Sequence, residues 1–180
     1  VLDLPVMHRK YKVVWLGMDV GFCVDLDTEI FTQYGWKNAN DLQEGDLSLG
    51  INPETGLSQW QEIKQVNIFD KRPRGMIRMK GQTFDSFSTP NHRWLVQGVD
   101  NEWVWRTSET LQSGDKIPLR RYGNGFINFS DVRVMKEIFN GEIWCPEGTF
   151  GNWLCRRGNS VYYTGNTQAP SEIVVFAEIQ

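Results

Sequence analysis

The stretch Trp36–Asp46, WKNANDLQEGD, occurs a second time as Trp105–Asp115, WRTSETLQSGD, at a constant offset of 69 residues. In each copy a strand-like segment ends in Trp and a basic residue, and Leu-Gln-x-Gly-Asp then leads into another strand. A unit repeated at a fixed offset predicts a duplicated β unit with pseudo-twofold symmetry. We expect the two terminal carboxylates, Asp46 and Asp115, to accept hydrogen bonds from the backbone amides of their turns.

Strand signals dominate the remaining sequence. Short runs of β-branched and aromatic residues alternate with Gly, Pro or Asn, and Asn52–Gly56 (NPETG) is typical of a hairpin turn. Only Ser130–Phe139 (SDVRVMKEIF) has helical spacing, with Ser130 as a possible cap. The sequence therefore predicts an all-β protein with one short helix. The clearest strand candidates are KVVWLGMDV (12–20), TEIFTQ (28–33), LSLGI (47–51), GMIRMKG (75–81) and NEWVWRT (101–107).

Composition excludes several classes of function. The net charge of −3 gives no electrostatic reason for a nucleic-acid partner, and we find no apolar run of membrane-spanning length and no signal peptide. The three cysteines cannot all pair, and no Cys-x-x-Cys motif indicates zinc or redox chemistry. We expect a cytoplasmic protein with reduced thiols and no membrane partner.

Both ends of the chain lie outside the repeat. Residues 1–22 end on a strand, and 171–179 (SEIVVFAEI) form another. If the middle were removed, residues 13–22 would continue into 167–179 as a strand, a turn and a strand. The middle of the chain therefore has the pattern of an insertion into another protein.

Reactive side chains lie at the borders of this insertion. Cys23 opens it, and the segment VYYTGNTQAP (161–170) closes it. Gly165-Asn166 alone is typical of a turn, but the side-chain amide of Asn166 can also attack its own carbonyl and cut the chain. The hydroxyl of Thr167 is then a candidate nucleophile. Between the borders, Thr89 and His92 bracket a proline turn, and the imidazole could protonate a departing amide nitrogen.

These residues resemble an intein, a self-splicing element of the Hint (hedgehog–intein) superfamily. CVDLDTEIFTQYGWKNANDLQEGD (23–46) resembles the opening motif, TPNHRW (89–94) the Thr-x-x-His motif, and GEIWCPEGTFGNWLCRRGNSVYYTGN-T (141–167) the last two motifs. The resemblance implies a Hint horseshoe fold, an insert of residues 23–166, and flanking host segments 1–22 and 167–180. The 47 residues from Leu95 to Gly141 are too few for a homing endonuclease, so the resemblance implies a mini-intein.

Two departures from the common intein pattern matter. Gly165 stands where inteins usually have a His before the terminal Asn, and Cys145 stands where they usually have Asp. Class-three inteins carry a Trp, a Cys and a Thr at the positions of Trp94, Cys145 and Thr164, and in them the internal Cys makes the first attack. They usually lack a first-position nucleophile, whereas this chain has Cys23, so the sequence leaves open which thiol attacks.

The resemblance implies autocatalytic splicing, with one turnover per molecule. Thr89 and His92 would activate the Phe22–Cys23 bond, and Cys23 or Cys145 would form a thioester with Phe22. Thr167 would then take the acyl group as a branched ester, Asn166 would cyclise, and an amide would join Phe22 to Thr167. It implies no cofactor, a monomer, and only the chain's own flanking segments as partners.

The flanks carry a second resemblance. KVVWLGMDVGF (12–22) joined to TQAPSEIVVFAEI (167–179) resembles the first hairpin of the nuclease domain of a phage terminase large subunit. Asp19 would match that family's first metal-binding carboxylate, which would hold Mg²⁺ or Mn²⁺ after splicing. The resemblance implies a phage or prophage protein in a bacterial cell.

Other interpretations of the same residues remain. The chain could be a Hint domain that only cleaves, or a Trp-rich β module that binds carbohydrate. Trp94 and Cys145 could be packing residues rather than members of the site, and His92 alone could be structural. We expect Cys155 to be core packing, and we favour a solvated Arg156-Arg157 pair over a pair that clamps a carbonyl oxygen.

Overall fold

The computed structural model describes residues 11–13, 22–121, 123–165 and 177–179. The chain divides into two compact units, Val1–Val20 with Ala169–Gln180, and Gly21–Gln168. In the first unit, Tyr11–Val13 (β1) pairs antiparallel with Ala177–Ile179 (β15). The remainder of the two predicted flanking strands, including Asp19, lies outside the described residues.

The second unit consists almost entirely of β-strands, as the sequence predicts. No helix in its described residues is long and apolar enough to cross a membrane. The strands are β2 (Val24–Asp25), β3 (Thr28–Thr32), β4 (Gly35–Lys37), β5 (Leu47–Ile51), β6 (Ser58–Lys80), β7 (Asp85–Ser88), β8 (Arg93–Gln97), β9 (Trp103–Thr107), β10 (Lys116–Arg121), β11 (Gly123–Asn128), β12 (Arg133–Gly148), β13 (Asn152–Arg157) and β14 (Ser160–Gly165).

One continuous hydrogen-bonded sheet joins these strands in the order β12-β2-β7-β6-β5-β3-β13-β14-β10-β8-β9. Strand β4 adds to β3, and β11 adds to β10. Strand β12 also pairs with β6 from Arg133↔Lys80 to Gly148↔Ile63. Segments of the second unit that lie far apart in the sequence are thereby brought into one sheet, as β2, β7 and β12 show.

The predicted helix over Ser130–Phe139 is wrong. A single 3₁₀ turn, Phe129–Asp131, is followed at Arg133 by the long strand β12. Val134 and Ile138 share one face in a helix, where residues four apart are neighbours, and also in a strand, where residues an even number apart are aligned. The local pattern therefore does not distinguish the two structures, and pairing with β6 selects the strand.

The predicted duplicated unit is confirmed by the same hydrogen bonds in both copies. Asp46 Oδ2 accepts the amide of Gln43 at 2.9 Å, and Asp115 Oδ2 accepts the amide of Gln112 at 3.0 Å. The basic residue after each Trp donates to the same carboxylate oxygen, Lys37 at 2.8 Å and Arg106 at 3.2 Å.

The glycine before each aspartate has a left-handed backbone, with φ of 89° at Gly45 and 97° at Gly114. Glycine adopts this conformation without a steric penalty. The repeated Gly-Asp pair thus encodes one turn used twice.

Clusters of buried apolar side chains support the sheet. The larger cluster includes Ile30, Trp94, Trp144 and Tyr162, and the smaller one includes Leu49, Leu95, Leu154 and Tyr163. Neighbouring residues such as Trp94 and Leu95 belong to different clusters, because successive side chains of a strand point to opposite faces.

We predict that Asp115→Ala lowers the free energy of unfolding by about 2 kcal/mol, because the carboxylate is 1% exposed and its loss leaves two donors without their acceptor. Urea denaturation checks this value. Asp100→Ala, in an exposed turn, is the matched control and should change stability little. Equal effects of the two substitutions would contradict a structural role for the repeated carboxylate.

Candidate active site

Short strand β2 places the Phe22–Cys23 peptide bond inside the sheet. Val24 pairs with Trp144 of β12 on one edge and with Ser88 of β7 on the other. The indole N–H of Trp144 also donates to the carbonyl oxygens of Asp25 and Thr28, each at 3.1 Å. Cys23, directly before β2, is completely buried.

Thr89, directly after β7, holds this peptide bond in place through hydrogen bonds. Its Oγ1 accepts the amide of Phe22 at 3.0 Å and the amide of Cys23 at 3.2 Å, and its own amide donates to the carbonyl of Cys23 at 3.0 Å. Phe22 has a φ of 79°, a left-handed conformation that is unfavourable for a bulky side chain. Backbone strain of about 1–3 kcal/mol is typical of such a residue, and here it lies next to the predicted cut.

His92 lies in a closed pocket at the start of β8. Its Nε2 and the hydroxyl of Thr164 on β14 are 2.5 Å apart, and both side chains are almost fully buried. Burial lowers the pKa of His92 to about 4, although the backbone of Phe22 acts in the opposite direction. The imidazole is therefore neutral at neutral pH and lies beside the residue that supplies the predicted scissile carbonyl.

Trp94 supports the imidazole. The two ring centroids are 5.3 Å apart in an edge-to-face arrangement, and the indole N–H donates to Ser108 Oγ at 2.9 Å. The indole also stacks on Tyr162 in the core. Ser108, which the sequence did not single out, also shares a hydrogen bond with the hydroxyl of Ser88, with 3.1 Å between the two oxygen atoms. The hydroxyl of Ser108 thus connects Trp94, which packs against His92, to Ser88 on β7. No sequence motif marks this serine.

The thiols of Cys23 and Cys145 lie side by side, with 3.4 Å between their sulfur atoms. The hydrogen bond with Cys145, burial and charge repulsion from Cys145 raise the pKa of Cys23 well above its ordinary value, while the charge of Arg74 opposes this. Cys23 is therefore the protonated partner that donates to Cys145 Sγ. Arg74, on β6, is a basic residue near the thiols that the sequence did not single out.

Gly165, the last residue of β14, has a direct steric reason to be glycine. A Cβ at this position would overlap the carbonyl oxygen of Arg93 and would lie 3.0 Å from the ring of Trp105. The guanidinium of Arg93 lies over the same ring, 4.4 Å from its centroid. A histidine therefore does not fit here without movement of the neighbouring strand.

The expected solvation of Arg156 and Arg157 is wrong. The side chain of Arg157 is 12% exposed and forms ion pairs with Asp25 at 2.8 Å and Asp85 at 3.1 Å. Arg156 donates twice to Glu29 and lies over the ring of Trp36. Local sequence could not show this, because the carboxylates that Arg157 binds lie 132 and 72 residues away.

The structure brings most of the predicted site together. Phe22, Cys23, Thr89, His92, Cys145 and Thr164 form one connected group of contacts, and Trp94 joins it through His92. Cys155 lies apart in the core, where its thiol contacts the carbonyl of Tyr162 at 3.3 Å. Asn166 and Thr167 lie outside the described residues.

We predict that His92 stays neutral down to about pH 4. Because folding lowers its pKa below the ordinary value, the neutral imidazole contributes stability that is complete above about pH 6.5 and is lost as the pH falls through 4. Proton NMR titration of the imidazole signals checks the pKa, and His8→Gln assigns them because the chain has only these two histidines.

A matched measurement of stability tests the same point. Between pH 7 and 4 the wild type should lose about 3 kcal/mol more than His92→Gln, in which this position no longer titrates. Titration of His92 near 6.5 would contradict a closed pocket.

Comparison with known proteins gives structural matches only. No protein-family model matches the chain, and no curated protein matches it. A solved structure of the AceL NrdHF class 3 split intein, in a glutathione-linked, splice-inactive variant, aligns at 14% identity with a TM-score of 0.73, covering 82% of this chain and 99% of that one.

Two further solved structures have similar coverage. The bacterial intein-like domain from Clostridium thermocellum aligns at 18% identity with a TM-score of 0.63, over 80% of this chain and 98% of that one. A DnaB intein from Synechocystis sp. PCC 6803 aligns at 15% identity with a TM-score of 0.62, over 81% and 98%. The chain therefore has the Hint fold of the inteins, as the sequence predicts.

Proposed function

We propose that this chain splices itself, removing residues 23–166 and joining Phe22 to Thr167. The observation that carries the proposal is the surroundings of the Phe22–Cys23 bond. The hydroxyl of Thr89 accepts hydrogen bonds from the amides of both residues. Cys23 and Cys145 place two sulfur nucleophiles in contact at the same end of β2. A binding module has no use for a strained, buried peptide bond beside two thiols. The Hint fold supports the proposal, as does the similarity to a class 3 split intein.

In the first step a thiolate attacks the carbonyl carbon of Phe22. Cys145 is the better candidate, because the raised pKa of Cys23 keeps that thiol protonated and donating to Cys145 Sγ. The bond between Phe22 and Cys23 breaks as the thioester forms, and the departing amine nitrogen takes a proton. The attacking thiol supplies this proton, and the neutral imidazole of His92, which contacts the backbone of Phe22, accepts it and passes it on as imidazolium.

Two features lower the barrier to this step. Cleavage releases the left-handed backbone of Phe22 from its strain. The buried pocket also strengthens the hydrogen bonds of Thr89 and Thr164 relative to water. Thr164 contacts His92 Nε2 and thereby sets the direction of the ring.

The later steps belong to the end of the insert. The hydroxyl of Thr167 takes the acyl group from sulfur as a branched ester, Asn166 cyclises and releases the insert, and the ester rearranges to the Phe22–Thr167 amide. Because no histidine fits at Gly165, closure of Asn166 proceeds without the imidazole that inteins usually have there. The chain performs one turnover as a monomer, without a cofactor, and its only partners are its own flanks.

We also propose that the flanks belong to the nuclease domain of a phage terminase large subunit in the cytoplasm of a bacterial cell. The pairing of β1 with β15 is consistent with one hairpin interrupted by the insert. Asp19 would hold Mg²⁺ or Mn²⁺ in the spliced host, and an insert three residues away would keep that nuclease inactive.

A Hint domain that only cleaves is the second candidate, and the observation that favours it is Gly165. If closure of Asn166 is slow, the thioester at Phe22 can hydrolyse before Thr167 accepts the acyl group. A carbohydrate-binding surface has less support, because among the seven described tryptophans only Trp60 is exposed, at 49%, and the other six are buried or partly buried.

The first experiment compares Cys145→Ala with Cys23→Ala in chains that carry longer host segments, with products read by gel and mass. We expect Cys145→Ala to slow formation of the joined product by about a thousandfold or more and Cys23→Ala to retain it. Cys155→Ala is the matched control for loss of a buried thiol.

The other outcomes of this experiment distinguish between the alternative nucleophiles and between splicing and cleavage. Loss of splicing only in Cys23→Ala would assign the first attack to Cys23. Splicing at the wild-type rate in both variants would overturn a thiol nucleophile, and release of the N-terminal segment without a joined product would support the cleavage-only candidate.

We predict that Gly165→His slows closure of Asn166 instead of restoring the usual intein arrangement, because its Cβ overlaps the carbonyl oxygen of Arg93. Overpacking of this kind lowers stability by about 1–3 kcal/mol. The rate of C-terminal cleavage and urea denaturation check both effects. Gly165→Ala should share the loss, whereas Gly125→Ala, where a Cβ meets open space, is the control. A faster closure in Gly165→His would contradict the steric reason for glycine.

A further inference from the structure

The two thiols of the site are opposite one another across a pair of strands. The antiparallel register of β2 and β12 matches Asp25 with Ile143 and Val24 with Trp144, so the next position sets Cys23 opposite Cys145. Directly opposite residues have Cα atoms about 4.5–5.5 Å apart, within the range of about 4.4–6.8 Å that disulfides require.

The side chains already point at each other. The two sulfur atoms are 3.4 Å apart in the reduced protein, and a disulfide requires about 2.05 Å. The two sulfur atoms therefore need to approach each other by about 1.4 Å. Cys155 does not compete, because its buried thiol contacts the carbonyl of Tyr162.

We propose that Cys23 and Cys145 form a reversible disulfide that holds the chain in an unspliced state. The inference rests on the proposed function, because both candidate nucleophiles of the first step are consumed by one bond. Neither thiol is then available to attack the carbonyl of Phe22, and reduction returns both thiols to the positions that they occupy in the described structure.

The co-reactant is a low-molecular-weight disulfide such as oxidised glutathione. Cys145 is 8% exposed and Cys23 is fully buried, so Cys145 attacks first, forming a mixed disulfide and releasing one glutathione thiol. Cys23 then attacks the Cys145 sulfur, loses its proton and displaces the second glutathione. Two protein thiols are oxidised to one disulfide, and one glutathione disulfide is reduced to two thiols.

The neighbouring cation assists this exchange. Arg74 is a basic residue close enough to Cys23 for each to affect the charge of the other. A positive charge beside a pair of thiols favours the thiolate that attacks a disulfide.

The test uses the full chain with Asn166→Ala and Thr167→Ala, which blocks the later steps and keeps the thioester step available. The chain is equilibrated over a series of reduced to oxidised glutathione ratios. The mass of the intact chain, measured without reductant, reports the loss of the two hydrogen atoms that disulfide formation removes. Peptide mapping then identifies the bridged cysteines. Hydroxylamine, which cleaves thioesters, then measures release of residues 1–22, and a phosphine restores the thiols without attacking the thioester.

We expect a Cys23–Cys145 bridge, a fall of about tenfold or more in hydroxylamine release, and full recovery with the phosphine. Cys155→Ala, the matched control, should behave identically. Thiols that stay reduced at every ratio, a bridge that involves Cys155, or release that continues in the bridged chain would overturn the inference.

Failure of the proposed function gives a different result. Mass and mapping report the bridge whether or not residues 1–22 are released. A fully reduced chain that never releases them would overturn the splicing proposal, whereas failure of the disulfide leaves release intact at every glutathione ratio.

Discussion

The pairing of β2 on both of its edges is the constraint on which the site depends. This strand has only two residues, Val24 and Asp25, yet it is held by β12, by β7, by the indole of Trp144 and by the ion pair of Asp25 with Arg157. Most of these partners lie more than 60 residues away in sequence. The Phe22–Cys23 bond therefore enters its pocket only when the sheet is assembled, so folding must precede chemistry.

The pocket is built from groups that are neutral at rest. Burial keeps His92 uncharged, and burial with the contact to Cys145 keeps the Cys23 thiol protonated. Isolated charges would be costly in this enclosed volume, whereas neutral donors and acceptors are stable there when they are paired. Permanent charges lie at its margin, in the carboxylates that bind Arg157 and in Arg74. The architecture thus separates the charges that hold the strands together from the groups that exchange protons.

Local sequence patterns predicted most of the fold, and the family resemblance named most of the residues that the structure groups around Phe22 and Cys23. The Gly-Asp turns of the repeat require a left-handed glycine and a carboxylate acceptor, and the Thr-x-x-His spacing fits one proline turn. Errors arose where the deciding partner is remote. Ser130–Phe139 is a strand because β6 lies beside it, and Arg157 is buried because Asp25 and Asp85 surround it. Ser108 and Arg74 have no local signature, and only the folded chain shows what they contact.

The left-handed backbone of Phe22 has a consequence for how the proposed splicing depends on its host. The residue with this conformation lies before Cys23, so under the proposed boundaries it belongs to the host segment and not to the insert. A host with glycine at that position would adopt the same backbone without strain and would supply less driving force to the opening reaction. Part of the reactivity of the insert therefore comes from the host residue that precedes it. Under the proposed splicing, the host residue before Cys23 sets part of the rate of the first step through its own backbone preference.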